Sequence, residues 1–245
     1  SFYYLENSVI VSLRRNFFKR FKETQMLSLK EIELFKSLSE NEIEKIENNA
    51  SIRNYANNEV IHNPHEKCDS LSIILNGNAR VCSFMNIGNE QNLKNLTEGD
   101  IFGEALIFSE KRYPSYIISN TSTFVMEISK LYLLNALKNE KFLVSYLHSI
   151  VEKIFNLSFM IEILSLNTVE KRVSKYLLSL SQAQESNNIH ILYNKTQIAN
   201  KIGTSRETVS RVFSKLKREK IIKENDNKSI SIINASKLEK LLFGQ

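Results

Sequence analysis

Arg206, Glu207 and Arg211 are the residues whose types and spacing point most directly to chemistry. Arginine can donate two parallel hydrogen bonds to O6 and N7 of guanine, and glutamate can accept from N4 of cytosine, so the set suits base readout in a DNA groove. Thr196, Ser205, Thr208, Ser210 and Lys217 surround it and can bond base edges or phosphates. Nothing comparable exists for catalysis. No nucleophile, base and orienting group recur together, and the His, Cys, Asp and Glu positions lack metal-ligand spacing. Neither a catalytic residue, a metal nor a cofactor is expected.

The elements that must hold these side chains are two short helices. Thr196 to Ile202 reads as the first, Gly203-Thr204 as a turn, and Ser205 as the cap of a second helix running to about Glu219. At about 100° per residue, Arg206, Glu207, Ser210, Arg211, Ser214 and Lys217 share one side of the second helix. Val209, Val212, Phe213 and Leu216 share the other. One face packs and the other is free, as in a recognition helix. Ile221-Ile222-Lys223, a turn at Asn225-Asp226-Asn227, and Ser229 to Ile232 predict a β-hairpin wing behind it.

Charge is distributed accordingly. The net charge of +6 conceals +4 over residues 1–30, −6 over 31–165 and +8 over 166–245. A basic C-terminal third on an acidic body suits a polyanion-binding module joined to a domain with another task. With 42% hydrophobic residues, 6 Gly and 2 Pro in 245 residues, the composition excludes collagen-like, disordered and loop-dominated classes. Cys68 and Cys82 cannot build a disulfide framework, and a reducing cytoplasm is expected. No apolar run is long enough for a membrane span.

Upstream, Ser39 and Glu42 form a capping-box signature for a short helix. From Tyr55 to Ile128, short apolar stretches are punctuated by turn residues, predicting a small antiparallel unit. Leu71 to Leu75 and Ala79 to Phe84, joined at Asn76-Gly77-Asn78, read as a hairpin. Further turns are expected at Ile87-Gly88-Asn89 and Glu98-Gly99-Asp100, with a last strand from Thr123 to Ile128. After Lys138 the period becomes helical. Leu143, Leu147, Ile150, Ile154, Leu157, Ile161 and Leu164 step by alternating fours and threes, the seam of a parallel homodimer. A second line, Val144, Val151 and Ser158, is expected to face the β unit. Asn167 with Glu170 predicts the cap of the next helix, through Leu180. Residues 1–27 mix Phe and Tyr with Arg and Lys, a basic amphipathic pattern that suits a membrane surface or a segment packed on its own protein, and a packed extension is expected.

The order of these parts resembles the Crp/Fnr family of bacterial transcription factors from about Leu34 to Leu242. It does so through Asn76-Gly77, Gly99-Asp100-Ile101-Phe102-Gly103-Glu104 and, most specifically, Gly203 to Arg211. The resemblance implies an α+β chain: an extension (1–29), an antiparallel cyclic-nucleotide-binding-like β-roll (30–138), a dimerisation helix (139–165) and a winged helix-turn-helix (166–245). It implies a homodimer on double-stranded palindromic DNA with TGTGA-like half-sites, RNA polymerase as a partner, and a small-molecule effector pocket at Gly103, Glu104, Ser115, Leu157 and Ser158. The effector is expected not to be cyclic AMP. The family's arginine-serine pair is here Pro114-Ser115, and proline cannot neutralise a phosphate. Leu157 stands where the family's adenine-contacting threonine lies. Two cysteines are too few for an iron–sulfur cluster, and His62, His65 and His148 form no evident haem site. A module acting on a protein partner, with the basic domain as docking surface, is the other reading of the pattern.

Overall fold

The computed structural model describes residues 26–84, 90–109, 111–225 and 229–244. Most of the N-terminal extension, the expected turn at Ile87-Gly88-Asn89, and Asp226 and Asn227 of the expected wing turn lie outside them. The chain forms two units, one ending at Val151 and the other beginning at Glu152.

In the first unit, after two short 3-10 turns at Leu29–Glu31 and Glu33–Phe35, helix α1, Glu40–Glu47, is capped as expected: the Ser39 hydroxyl accepts from the Glu42 amide, and the Glu42 carboxylate accepts from the Ser39 amide at 2.8 Å. Strands β1 (Ser51–Tyr55), β2 (Val60–His62), β3 (Ser70–Asn76), β4 (Asn78–Phe84), β5 (Glu90–Thr97), β6 (Ile101–Phe102), β7 (Tyr116–Ser119) and β8 (Thr123–Ser129) follow. They form two antiparallel sheets, ordered β1-β8-β3-β6 and β2-β7-β4-β5. Leu71, Ile73, Ile74, Leu75, Ala79, Leu96, Val125, Met126 and Ile128 join one buried core between them. This is the expected roll.

One feature differs from expectation. β3 and β4 meet at Gly77 but do not pair as a hairpin; β3 pairs with β8 and β6, β4 with β5 and β7. Gly77, at φ +89°, makes a corner that carries the chain from one sheet to the other. A Cβ there would lie 2.5 Å from the Ser122 carbonyl oxygen, so only glycine fits. Turn chemistry was legible, whereas partner choice depends on long-range packing.

Helix α2, Lys130–Ala136, leads into the long helix α3, Glu140–Ser165. The Asn139 side chain accepts from the Lys141 and Phe142 amides at its start. Phe142 and Tyr146 are buried in the roll core and Ile150 packs against it. These three, four residues apart, are the line that faces the β unit. Val144, Val151 and Ser158 are exposed, which corrects the sequence expectation.

In the second unit α4 spans Val169–Ala183, and its cap is Thr168, whose hydroxyl accepts from the Lys171 amide, rather than Asn167. Then come β9 (Asn188–His190), α5 (Lys195–Ile202), α6 (Arg206–Arg218), β10 (Ile222–Glu224), β11 (Ser229–Ile232) and α7 (Ala235–Phe243). The wing is a three-stranded antiparallel sheet, β10-β11-β9; its third strand has no clear signal in the sequence. Val173, Leu177, Ile198, Ile202, Val209, Phe213, Leu216 and Leu238 form this unit's core, joined by Ile163 and, less buried, Phe159 from the end of α3.

Candidate nucleic-acid interface

The turn between α5 and α6 is fixed by backbone geometry. Asn194 caps α5 in a reciprocal box with Gln197. Gly203 ends it in the left-handed region at φ +65°, and its amide returns to the Ala199 carbonyl. Ser205 then caps α6 by accepting from the Thr208 amide at 3.2 Å. Arg172 adds a cross-link: its guanidinium donates to the Leu164 and Leu166 carbonyls at the end of α3 and to the Ile202 and Gly203 carbonyls at the end of α5, at 3.0 to 3.4 Å.

Held in this way, α6 buries Val209, Phe213 and Leu216 and leaves Arg206, Glu207, Arg211 and Lys217 exposed, with Ser210 half-buried beside them. Arg206, Glu207, Ser210, Arg211, Ser214, Lys215 and Arg218 line one open concavity together with Lys195, the first residue of α5. Thr208 has a supporting place. Its hydroxyl lies 3.0 Å from that of Ser205 and accepts from the Arg211 guanidinium at 3.2 Å, steadying that side chain. The Glu207 carboxyl is held below its ordinary range by a backbone N–H at the helix N-terminus and by the Ser205 hydroxyl, with Arg206 and Arg211 adding to the effect. It presents an ionised acceptor at neutral pH. Thr196 is exposed on α5.

Three lysines at or beside this face have carboxylate partners. Lys215 pairs with Glu170 at 2.7 Å, which raises the Lys215 pKa. Lys217 sits 2.6 Å from Glu224, which also holds Lys195 at 3.1 Å. Burial pushes the Glu224 carboxyl up, but the bonds from Lys217 and Lys195 outweigh it and the net shift is downward. The sequence reading did not single out Lys195, Glu224 or Arg172; the Asn194-Gln197 capping box was the available signal for Lys195.

Of the expected seam, Leu143, Leu147, Ile154, Leu157, Ile161 and Leu164 are exposed in the single chain, Ile161 at 70%, while Ile150 is half-buried against the roll. Leu164 also lies over the turn, where a Cβ on Gly203 would come 2.5 Å from its Cδ2.

Gly103, Glu104 and Ser115 belong to the roll. Gly103 takes φ +82°, and a Cβ there would lie 3.0 Å from the Ser70 carbonyl and 3.3 Å from the Tyr113 hydroxyl. Tyr113 is buried and stacked on His62, centroids 4.3 Å apart. Tyr146 donates to the Glu104 carbonyl at 2.6 Å, and burial raises the pKa of both tyrosines. Pro114 is exposed and Ser115 buried. The nearby Arg112 guanidinium donates to the His65 carbonyl. Position 114 thus carries no arginine, and the neighbouring Arg112 guanidinium bonds a backbone carbonyl. Leu157 and Ser158 lie on exposed turns of α3, in the other unit. No group of three or more His, Cys, Asp and Glu that could hold a metal occurs among the described residues.

An antiparallel roll, a long helix with an exposed apolar face and a winged helix-turn-helix define a transcription regulator of the DNA-binding kind. Residues 171–241 match the Crp-like helix-turn-helix domain and residues 52–140 the cyclic nucleotide-binding domain. The chain belongs to the Crp/Fnr family of transcription regulators. It is 27% identical over 209 residues, 85% of its length and 94% of its relative's, to the probable transcriptional regulator flp of Lacticaseibacillus casei. It is 26% identical over 177 residues, 70% of its length and 85% of its relative's, to the cAMP-activated global transcriptional regulator CRP of Pasteurella multocida. Among solved structures, a CooA variant from Carboxydothermus hydrogenoformans shares the fold at TM-score 0.58 and 17% identity, covering 86% of this chain and 94% of that one. CprK in complex with OCPA does so at 0.58 and 18%, covering 78% and 89%. No helix among the described residues is long and apolar enough to cross a membrane.

Proposed function

We propose that the protein acts as a homodimer that reads a palindromic duplex with TGTGA-like half-sites, under control of a small-molecule effector other than cyclic AMP and with RNA polymerase as a further partner. The observation that carries the reading is the division of α6: a buried apolar face opposite exposed Arg206, Glu207 and Arg211 at the helix N-terminus. In this reading those three contact base edges, Ser210 and Ser205 assist, Thr196 faces phosphate, Lys217 lies on the same side of α6 next to the duplex, and Thr208 steadies Arg211. Dimerisation is supported by the apolar stripe of α3, which a second copy of the same helix would cover. The division into extension (1–29), sensor roll (30–138), dimerisation helix (139–165) and reader (166–245) follows from these roles. Gly103, Glu104 and Ser115, with Leu157 and Ser158, remain the residues proposed for the effector. Pro114 supports an effector recognised without a phosphate-clamping arginine at that position.

The test is a duplex selection with the full chain and with Glu207→Ala and Arg211→Ala. Each variant is expected to relax preference at one position per half-site by about 1–3 kcal/mol. An unchanged selected sequence in both variants would remove α6 as the reader.

A further inference from the structure

Glu224 closes the first strand of the wing, and its two oxygens hold two ammonium groups from two different helices. Oε1 takes Lys195, the first residue of α5, at 3.1 Å; Oε2 takes Lys217, in the last turn of α6, at 2.6 Å. Lys195 belongs to the concavity lined by Arg206, Glu207 and Arg211, and its ammonium lies 5.6 Å from the centroid of the Phe213 ring. Lys217 shares its side of α6 with Arg206 and Ser210. The three charged side chains are each about one-third exposed, so they are wet enough to exchange partners.

A carboxylate in this position competes with DNA phosphate. Where a phosphate would take up both lysines and release counterions, the free reader already satisfies both with one internal anion. We propose that Glu224 is an affinity-setting residue, which holds Lys195 and Lys217 off the phosphates and so lowers sequence-independent binding while leaving base readout to Arg206, Glu207 and Arg211. The proposal rests on α6 being the DNA reader. Its consequence is a larger ratio of specific to non-specific affinity, the quantity that decides site occupancy among many competing sequences.

The experiment measures binding of the full chain to a palindromic and to a mixed-sequence duplex across salt concentrations, with wild type and Glu224→Gln. The amide keeps the shape of the side chain and removes its charge. Releasing two lysines is expected to steepen the slope of log affinity on log salt by up to about 1.8, or about 0.9 per phosphate neutralised. Between about 50 and 200 mM salt the variant then loses about twelve-fold more affinity than wild type. At low salt it binds the mixed duplex more tightly, and its preference for the palindrome falls. Parallel slopes in a folded Glu224→Gln protein overturn the proposal while leaving the reader intact. Should that variant fail to fold, Lys217→Gln decides: with Glu224 in place the slope should hardly change, and a fall of about 0.9 shows that Lys217 already serves phosphate, which overturns the proposal. A wild-type chain that binds no duplex at low salt overturns the reader itself, and the proposal with it.

Discussion

Replacing Arg172 with methionine tests how the reader is tied to the end of the long helix. The thioether keeps much of the apolar stem and removes every donor, so four carbonyls lose a charged partner: Leu164 and Leu166 at the end of α3, Ile202 and Gly203 at the end of α5. All four belong to helix C-termini, where orphan carbonyls and the negative end of the helix dipole favour a cation. A hydrogen bond to a charged group contributes about 1.5–3 kcal/mol, but bonds that share one guanidinium do not add, and these carbonyls can recover water once freed. A loss of about 2–3 kcal/mol follows. For a unit of this size, Glu152 to Gln245, each kcal/mol moves the melting point by about 4–8 °C, so its transition should fall by on the order of 10–20 °C. Differential scanning calorimetry of the full chain resolves it, and Arg172→Lys should recover only part, since one ammonium cannot span both helix ends. A melting point within about 2 °C of wild type would refute the reasoning, because the donors would then have contributed nothing beyond what water supplies.

Two further outcomes follow from the same kind of reasoning. Ile154→Glu places a charge in the middle of the exposed apolar stripe; in a dimer seam this leaves an unpaired buried charge costing about 3–5 kcal/mol. Sedimentation should show a monomer, and an unaltered profile excludes this face as the interface. Glu42, bonded by Ser39 and Asn139, has its carboxyl lowered from its ordinary value to about 2. Its contribution is therefore complete above about pH 4.5 and disappears as pH falls toward about 2, because only the ionised form keeps those bonds. Acid titration of the roll unit should show that loss in wild type and a flatter profile in Glu42→Gln; identical profiles contradict the assignment.

The parts of the fold legible in the sequence are those set by neighbours along the chain. Ser39-Glu42 and Ser205 marked helix starts because a capping oxygen acts within three residues, and α6 declared both its faces because a 3.6-residue period needs no partner to be seen. What was not legible depends on contacts between distant segments. Gly77 announces a turn, but whether the next strand folds back or crosses to the other sheet is decided by β7 and β8, some forty residues further along. The heptad from Leu143 to Leu164 fixes a stripe but not the flank that meets the roll, which is Phe142-Tyr146-Ile150 and not Val144-Val151. In the reader, the exposed arginines followed from α6 alone. The engagement of Lys217 by Glu224 required the wing to return beside the helix.

On the long helix, Phe142, Tyr146 and Ile150 join the roll core, Phe159 and Ile163 join the reader core, and Leu143, Leu147, Ile154, Leu157, Ile161 and Leu164 stay exposed. Tyr146 adds a polar link, since its hydroxyl donates to the carbonyl of Glu104, beside Gly103 in the loop proposed to meet the effector. A ligand shifts a conformational equilibrium only by the difference in its affinity for the two states. A neutral hydrogen bond of this kind contributes about 0.5–1.5 kcal/mol net, while allosteric coupling is typically about 1–3 kcal/mol. Loss or gain of the Tyr146–Glu104 bond is thus comparable to the lower end of such coupling. Larger regulation requires the aromatic packing of Phe108 and Phe142 on Tyr146 to change with it. In the function proposed above, that packing is the route by which an effector bound at the roll would bias the helix.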